Sequence, residues 1–498
     1  MKQRQIMLNA LSTVAQLIGN AVVLFFLYRF LIRAVGVERL GVWSLLLATT
    51  SLVTLANQGL SMSIVKFVAK YAGRKSTHDI SLLVQTALIT AGVILALLSI
   101  ALFPAARLAL VFLLPVARLP EALAILPFAL VSLWFNVLGT IAQAGLAGHE
   151  LISLCNYIEF AGSLSYLGLA FLFVPRHGLL GLAVAQAAQA AFGLLAAWIL
   201  LRRQVPDLPI VPSQWSRARF KEMLGYGAHF QSITICQSLR EPVTKALLTK
   251  FAGLASTGFY DMASRLVVTV RELIVQSNQV LVPTISNLQE RDRDAIPRIY
   301  RESYRLLFFF SVPAFAVLVV ASPLVSTIWI GRYESTFVRF VALLAVGWLI
   351  NVLCNPAYVV DVGTGALRWV SVGCAVTAVL NAGAGFLAGE LAGGTAIVAA
   401  ASASLIAGYV IVLIAYHRDA HESFRVLLPA ESRASLTLSV AGVLVLLPLL
   451  YSLASRDEIT PIVLASTVLG FAALMAPAMW THPIRRRLFQ RLASEILT

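Results

Sequence analysis

Seven charged side chains are concentrated in the interior of two neighbouring apolar stretches of the sequence. Each stretch is long enough to cross a bilayer, and an ionisable group inside such a segment costs about 2.5 kcal/mol or more on insertion scales. These groups are therefore candidates for substrate binding or ion coupling. The stretch 223–250 contains Arg240, Glu241 and Lys245, and the stretch 259–285 contains Asp261, Arg265, Arg271 and Glu272.

The spacing of these residues predicts how they face. Residues four apart share a helix face, which pairs Glu241 with Lys245. The same spacing pairs Asp261 with Arg265. The four bases exceed the three acids, so pairing leaves positive charge for charge-assisted hydrogen bonds to phosphate oxygens. Substrate binding is predicted for Arg240, Lys245, Arg265, Arg271 and Glu272, and ion coupling for Glu241 and Asp261. The alternative, that the same-face pairs only hold helices together, stays open.

No arrangement of residues indicates catalysis or metal binding. The sequence contains no nucleotide-binding loop, nucleophile constellation or spaced set of metal ligands. The predicted sites therefore include no catalytic residue, metal or cofactor. The longest loops are also too short for a soluble domain, because fewer than about 40 residues rarely fold alone. These observations argue against an enzyme.

The segments that must position the charges are transmembrane helices. Of the 498 residues, 59% are hydrophobic and 12% are charged, and the mean hydropathy is +0.85. Fourteen apolar stretches reach the roughly 20 residues needed to cross a hydrocarbon core of about 30 Å. The predicted fold class is an all-α integral membrane protein with about 14 transmembrane helices.

The basic residues predict how the chain is oriented in the membrane. With the N-terminus in the cytoplasm, 24 of the 38 Lys and Arg fall in loops on the cytoplasmic side and 8 on the other side. This is the positive-inside bias, and it predicts that both termini are cytoplasmic. The net charge of +15 is spread over loops in this arrangement. No contiguous basic surface remains for nucleic acid.

The two halves of the sequence resemble each other. Residues 34–44 match 251–261 at an offset of 217, and residues 134–138 match 349–353 at an offset of 215. The paired residues are Gly36 with Gly253, Gly41 with Gly258, Asn136 with Asn351, Gly148 with Gly363 and Gly178 with Gly393. Each copy holds six spans, an even number, so the sequence predicts two parallel repeats of the kind found in transporters.

The repeat sets the predicted domain boundaries. Two six-helix lobes are expected at 1–203 and 223–418, joined by a cytoplasmic linker at 204–222. Two additional helices and a cytoplasmic tail are expected at 419–498.

The helix faces of the first half that correspond to the charged ones are polar but uncharged. They carry Gln16, Asn20 and Ser61, and substrate binding is also predicted for Thr54, Asn57 and Gln58. At the offset of 217, Thr54 corresponds to Arg271. A cavity between the halves would then have one cationic wall and one hydroxyl and amide wall. That combination suits an anionic head group with a sugar attached.

The motifs of the chain resemble a known family. A Gly-x₄-Gly-x-Trp/Tyr pattern follows the first span of each half, the eighth span ends in LVPTISNLQ (281–289), and the spans follow a six-plus-six-plus-two plan. Together these resemble the polysaccharide-transporter (Wzx-type) branch of the multidrug/oligosaccharidyl-lipid/polysaccharide flippase superfamily. One departure is that Thr244, rather than an acidic residue, precedes Lys245.

The resemblance implies a function and its partners. It implies a flippase in the bacterial cytoplasmic (inner) membrane that moves a polyprenyl-diphosphate-linked glycan by alternating access. Membrane lipids, a glycan polymerase and glycosyltransferases are the other expected partners. Two alternatives stay open: a multidrug or organic-cation antiporter of the same superfamily, and a non-transporting scaffold for glycan assembly.

Overall fold

The computed structural model describes most of the chain. The described residues are 2–51, 58–74, 76–279, 285, 288–289, 292–454 and 460–485. They form two compact units, 1–258 and 259–498. Each unit is built from long apolar helices.

The first unit contains six helices and the beginning of a seventh. They are α1 (Lys2–Val35), α2 (Val37–Ser51), α3 (Gln58–Gly73), α4 (Thr77–Leu113), α5 (Leu119–Gly148), α6 (Ile152–Gln204) and α7 (Arg217–Gln279). Helix α6 packs against both α5 and α1, and α3 packs against α4 and α5. A cluster of buried apolar side chains from α3 to α6, including Ile64, Leu83 and Ile141, forms the core of this unit.

The second unit contains the end of α7 and five more helices. They are α8 (Ile296–Trp329), α9 (Ser335–Thr364), α10 (Leu367–Asp419), α11 (Arg433–Ala454) and α12 (Pro461–Trp480). Helix α9 packs against α8 and α10, and the last two helices pack against α8. In the described part of the chain, nine helices are long and apolar enough to cross a membrane. The chain is an all-α integral membrane protein, as the sequence predicts.

Positive-φ glycines interrupt the helices at matching places in the two sequence repeats. Gly36 separates α1 from α2 with φ of 83°, and its repeat partner Gly253 breaks α7 with φ of 82°. Gly178 breaks α6 at φ 56°, and its partner Gly393 breaks α10 at φ 73°. This backbone region costs side-chain-bearing residues energy but not glycine. Each of the three longest helices therefore consists of two segments, so one continuous helix accounts for two predicted spans.

A second glycine pair allows two related helix beginnings to pack backbone to backbone. A Cβ added at Gly41 would lie 2.0 Å from the Leu254 carbonyl oxygen, and one added at Gly258 would lie 2.6 Å from the Val37 carbonyl oxygen. At the repeat offset of 217, Gly41 corresponds to Gly258 and Val37 corresponds to Leu254, so the two contacts are equivalent. All four residues belong to the first unit. The approach is too close for any residue with a side chain.

The segment 205–216, which we call the strap, is bound along the beginning of α4. The Ser213 and Gln214 amides donate to Gln85 Oε1 at 3.0 and 3.1 Å. The Ser216 amide donates to Thr86 Oγ1 at 3.1 Å. Ser81 Oγ in turn donates to the Asp207 carbonyl at 2.9 Å. Most of the predicted linker is thus fixed to the first unit.

A charged cluster continues from the strap onto the first turn of α7. Arg219 forms ion pairs with Asp79 and Glu222, and its guanidinium also contacts Tyr71. Lys70 pairs with Glu222 at 3.3 Å. Burial would raise the pKa of Glu222, but hydrogen bonds from Tyr71, Arg219 and Lys70 outweigh burial and lower it. Burial and the bond to Glu222 raise the pKa of Tyr71 to about 12.

Acid is expected to weaken this cluster. A carboxyl whose pKa is lowered by folding stabilises the fold above its unfolded pKa, and that stability is lost as the pH falls through the folded pKa. At neutral pH, Glu222→Gln should cost about 1 kcal/mol, because the group is partly exposed. Below about pH 4, the unfolding temperature of Glu222→Gln should approach that of the wild type. Glu390→Gln, an exposed site, is the control; a difference that does not change with pH would contradict the assignment.

Candidate functional site

The charges of the predicted seventh span lie on α7 within the first unit. Lys245 Nζ is 2.7 Å from Glu241 Oε1, and the lysine side chain is 4% exposed while that of Glu241 is 46% exposed. The Thr244 hydroxyl donates to the Arg240 carbonyl. The i, i+4 spacing of Glu241 and Lys245 thus produces the contact that the sequence predicts. The buried lysine is held by a carboxylate that is open to its surroundings.

The pair on the next segment of α7 has the opposite arrangement. Arg265 Nε is 3.1 Å from Asp261 Oδ2; the arginine side chain is 39% exposed and the aspartate only 1%. A buried carboxylate here orients a cation that is itself partly exposed.

Arg271 is held on three sides within the second unit. Its Nε donates to Asn351 Oδ1 at 3.1 Å, and its Nη1 lies 3.4 Å from Glu272 Oε1. The guanidinium carbon is 5.2 Å from the centre of the Trp348 ring, within cation–π range. Both α9 residues are on one helix face, because they are three apart. The side chain is positioned rather than left to move freely.

The Arg271 site keeps unused hydrogen-bonding capacity. Among the described residues, none accepts a hydrogen bond from the Arg271 Nη2, and the side chain is 21% exposed. Asn351 is 1% exposed and its side chain also interacts with the Tyr409 hydroxyl. The Nη2 of the fixed guanidinium is therefore the donor that can bind an anionic oxygen.

The first unit contains an open cavity of about 220 Å³ between α1, α5 and α6. Six of its twelve lining residues have polar side chains, and Glu159 is the one charged residue in this lining. The polar lining residues are Asn20 on α1, Asn136 and Gln143 on α5, and Glu159, Ser163 and Gln189 on α6. Gly139, Gly162 and Gly193 also line it and keep side chains out of the space. The cavity therefore lies beside glycines of α5 and α6.

A line of polar contacts between α1 and α6 leads to this cavity. The Asn9 side-chain amide donates to the Glu150 carbonyl at 3.0 Å. Further along, Asn156 Nδ2 donates to the Ser12 hydroxyl at 2.9 Å. Gln16 Nε2 then donates to Glu159 Oε2 at 2.8 Å. The spacing of these residues on α1 follows one helix face, which continues to Asn20 at the cavity.

The sequence missed Glu159 as a site residue. The structure places it, partly exposed, in the cavity wall, where Gln16 donates a hydrogen bond to it. The available signal was the face of α1 that carries Gln16 and Asn20. The repeat was a second signal, because Asn136 lines the cavity while its partner Asn351 holds Arg271.

Several predicted residues are not covered by the structural description. Thr54 and Asn57 lie outside the described residues, and so do the Gln58 side chain and most of the 281–289 motif. Their roles stay predictions. Among the residues that are described, no group of three or more His, Cys, Asp or Glu could hold a metal ion.

Comparison with known proteins identifies the family. The sequence profile of the family described as "Polysaccharide biosynthesis protein" matches residues 5–289, more than half of the chain. The chain belongs to this family. No curated protein sequence matches it. The predicted resemblance to the flippase superfamily is confirmed, and membership of the Wzx-type branch stays a prediction.

Solved structures share the fold of this family member. An inward-facing multidrug resistance MATE family transporter of the MOP superfamily has a TM-score of 0.68 at 13% identity, covering 82% of this chain and 94% of that chain. The lipid II flippase MurJ in an inward closed conformation has a TM-score of 0.68 at 14% identity, covering 95% and 99%. A MOP superfamily transporter from Pyrococcus furiosus has a TM-score of 0.54 at 12% identity, covering 83% and 92%. These likenesses show a transporter fold.

Proposed function

We propose that the chain translocates a lipid-linked glycan precursor across the membrane by alternating access. The observation that carries the proposal is the Arg271 site. A guanidinium fixed by Asn351, Glu272 and Trp348 retains unused donors. Planar, bidentate recognition of phosphate oxygens is what such a group does best. A diphosphate head group is the ligand that fits.

The remaining cationic residues have supporting roles in this proposal. Arg240, Lys245, Arg265 and Glu272 are the further substrate-binding residues in this proposal. Glu241 and Asp261 are the coupling candidates, because neutralising either carboxyl would release the basic partner that it holds at 2.7 or 3.1 Å. The membrane potential assists as well. Export of each negative charge is favoured by about 2.3 kcal/mol per 100 mV when the inside is negative.

The physical problem of moving a glycan lipid favours such a polar route. Each hydroxyl transferred from water into hydrocarbon without a partner costs about 4–8 kcal/mol. An oligosaccharide therefore needs hydrogen-bonding groups along its whole path. The lipid tail has the opposite need, since each CH₂ kept in the bilayer is worth about 0.8 kcal/mol. The head group would move through the protein while the tail stays in lipid.

The balance of charge distinguishes the proposal from cation transport. An organic-cation antiporter requires a site with net negative charge, whereas the Arg271 site offers hydrogen-bond donors. The structural relative from Pyrococcus furiosus is described as having a binding pocket of reverse polarity that suggests a different function, so the fold accommodates either sign. We also propose the cytoplasmic membrane, cytoplasmic termini, and cooperation with glycosyltransferases and a glycan polymerase.

A reconstituted system tests the proposal. Purified full-length protein in proteoliposomes should accelerate flipping of a fluorescent polyprenyl-diphosphate sugar. It should leave the same sugar on an uncharged glycerolipid at the rate of empty vesicles. Uptake of a cationic dye without movement of the diphosphate lipid would favour the antiporter instead. Movement of neither lipid, with glycan export lost in cells that lack the protein, would favour the scaffold.

A further inference from the structure

We propose that the cavity of the first unit is a binding subsite for one uncharged sugar ring of the translocated glycan. This inference rests on the proposed function and names the part of the substrate that this cavity takes. The cavity measures about 220 Å³ and is formed entirely by α1, α5 and α6. Pockets for drug-sized ligands measure about 300–1,000 Å³. The available space therefore suits a single ring rather than an oligosaccharide.

The hydrogen-bonding groups of the cavity match a polyol. Asn20 Oδ1 is buried without a partner, and none of Asn136, Gln143 and Gln189 has a side-chain partner among the described groups. Each amide offers both a donor and an acceptor. Sugar hydroxyls also donate and accept, so one ring can satisfy both kinds of group. Unpaired amides in a membrane interior are otherwise costly.

A metal cation fits these groups less well. A bound cation uses oxygen atoms only, at about 2.3–2.6 Å for calcium, and leaves amide NH₂ donors without a role. The volume also exceeds the need of one ion, since one water occupies about 30 Å³. The NH₂ donors of these amides are therefore better explained by a ligand with hydroxyl oxygens, which accept hydrogen bonds.

Glu159 determines whether the cavity accepts a neutral or an acidic sugar. Its carboxylate accepts from Gln16 Nε2 at 2.8 Å, and the described residues place no Lys or Arg within ion-pair distance of it. A carboxylate without a cationic partner repels a second carboxylate in surroundings of low dielectric constant. The subsite should therefore accept a neutral hexose and reject a uronic acid.

The fold does not force this cavity to exist. At the repeat offset of 215, Gly162 and Gly193 correspond to Thr377 and Gly408 in the second unit. There the space is filled: a Cβ at Gly408 would lie 1.9 Å from Thr377 Oγ1. A Cβ at Gly193 meets nothing within 4 Å. One copy of the repeat has closed the space, and the other has kept it open and lined it with amides.

Filling the cavity is the direct test. Gly193→Leu places a side chain into the open space, whereas Gly168→Leu makes the same change on the same helix at a site that also has nothing within 4 Å and does not line the cavity. Both variants are compared in proteoliposomes with two fluorescent probes. One probe is polyprenyl diphosphate carrying a single neutral hexose, and the other is polyprenyl diphosphate without sugar.

The expected result is slower flipping of the hexose-bearing lipid alone. Gly193→Leu should slow flipping of the hexose-bearing lipid about tenfold, the effect of losing one or two hydrogen bonds to a neutral group, and leave the sugar-free lipid unchanged. Gly168→Leu should change neither rate. Glu159→Gln should let a glucuronate-bearing lipid pass at a rate closer to that of the hexose lipid. Equal slowing of both lipids by Gly193→Leu, or normal hexose transport, would overturn the proposal.

Two further outcomes separate this inference from its premise. If Glu159→Gln abolishes dependence of the rate on a proton or sodium gradient while sugar discrimination is unchanged, the cavity is a coupling site and the subsite proposal is wrong. If the wild type flips neither lipid, the proposed function fails. Binding of a neutral methyl hexoside to the detergent-solubilised wild type, lost in Gly193→Leu and kept in Gly168→Leu, then decides the subsite alone.

Discussion

Replacing Arg271 with alanine is expected to slow flipping of a diphosphate-linked sugar by about 100-fold. The substitution removes the guanidinium that Asn351 and Trp348 position. Hydrogen bonds to charged groups contribute about 1.5–3 kcal/mol each, so losing two of them costs two or more powers of ten. The measurement is the initial flipping rate in proteoliposomes at equal protein content.

Two companion variants make this result specific. Arg271→Lys keeps the charge but cannot reach Asn351 and a phosphate with one planar group, so it should recover only part of the rate. Arg298→Ala is the control, because Arg298 is 78% exposed and pairs only with its helix neighbour Glu302 among the described contacts. Full activity of Arg271→Ala would show that the fixed guanidinium does not bind the head group.

A side chain at Gly41 or Gly258 is expected to destabilise the protein. Each added Cβ would lie within 2.0 or 2.6 Å of a backbone carbonyl oxygen, which cannot move without shifting a helix. Overpacking of this kind costs about 1–3 kcal/mol. Gly41→Ala and Gly258→Ala should each lower the unfolding temperature of the purified protein.

The control and the double variant test the contact itself. Gly73→Ala lies at the end of α3 with nothing within 4 Å of the new Cβ, so it should be neutral or slightly stabilising. In the double variant Gly41→Ala/Gly258→Ala, once one substitution has separated the helices, the second should add little. Fully additive losses would show that the two glycines do not share one contact.

The sequence alone predicted the parts of this fold that depend on local rules. The length of the apolar stretches located the spans. The repeat offset predicted matching glycines, and in the structure Gly36 and Gly253 have the same backbone conformation. The spacing of Glu241 and Lys245 predicted their contact. These features depend on helix geometry or on the conformational freedom of glycine, and both can be derived from residue order.

The cavity could not be predicted in this way. Its existence depends on how α5 and α6 pack around Gly139 and Gly193, which is a matter of tertiary structure. Spacing also could not separate Glu159 in a cavity from a carboxylate at a membrane surface, because both lie near the end of an apolar stretch. The partner of Arg271 lies eighty residues away on α9, beyond the range of helix periodicity.

The strap has a consequence for how the sequence of this family can change over time. Three of its contacts with α4 are made by main-chain groups at Asp207, Ser213 and Ser216, while α4 contributes the side chains. The side chains of Ser213 and Gln214 can therefore vary with little loss of docking, provided that proline does not replace a donor. Asp207 and Trp215 also bond to α4 through their side chains, and Val205 and Leu208 are buried. Substitutions at Ser81, Gln85 and Thr86 would release the segment. Homologous sequences should accordingly vary at Ser213 and Gln214 and change little at Ser81, Gln85 and Thr86 on α4.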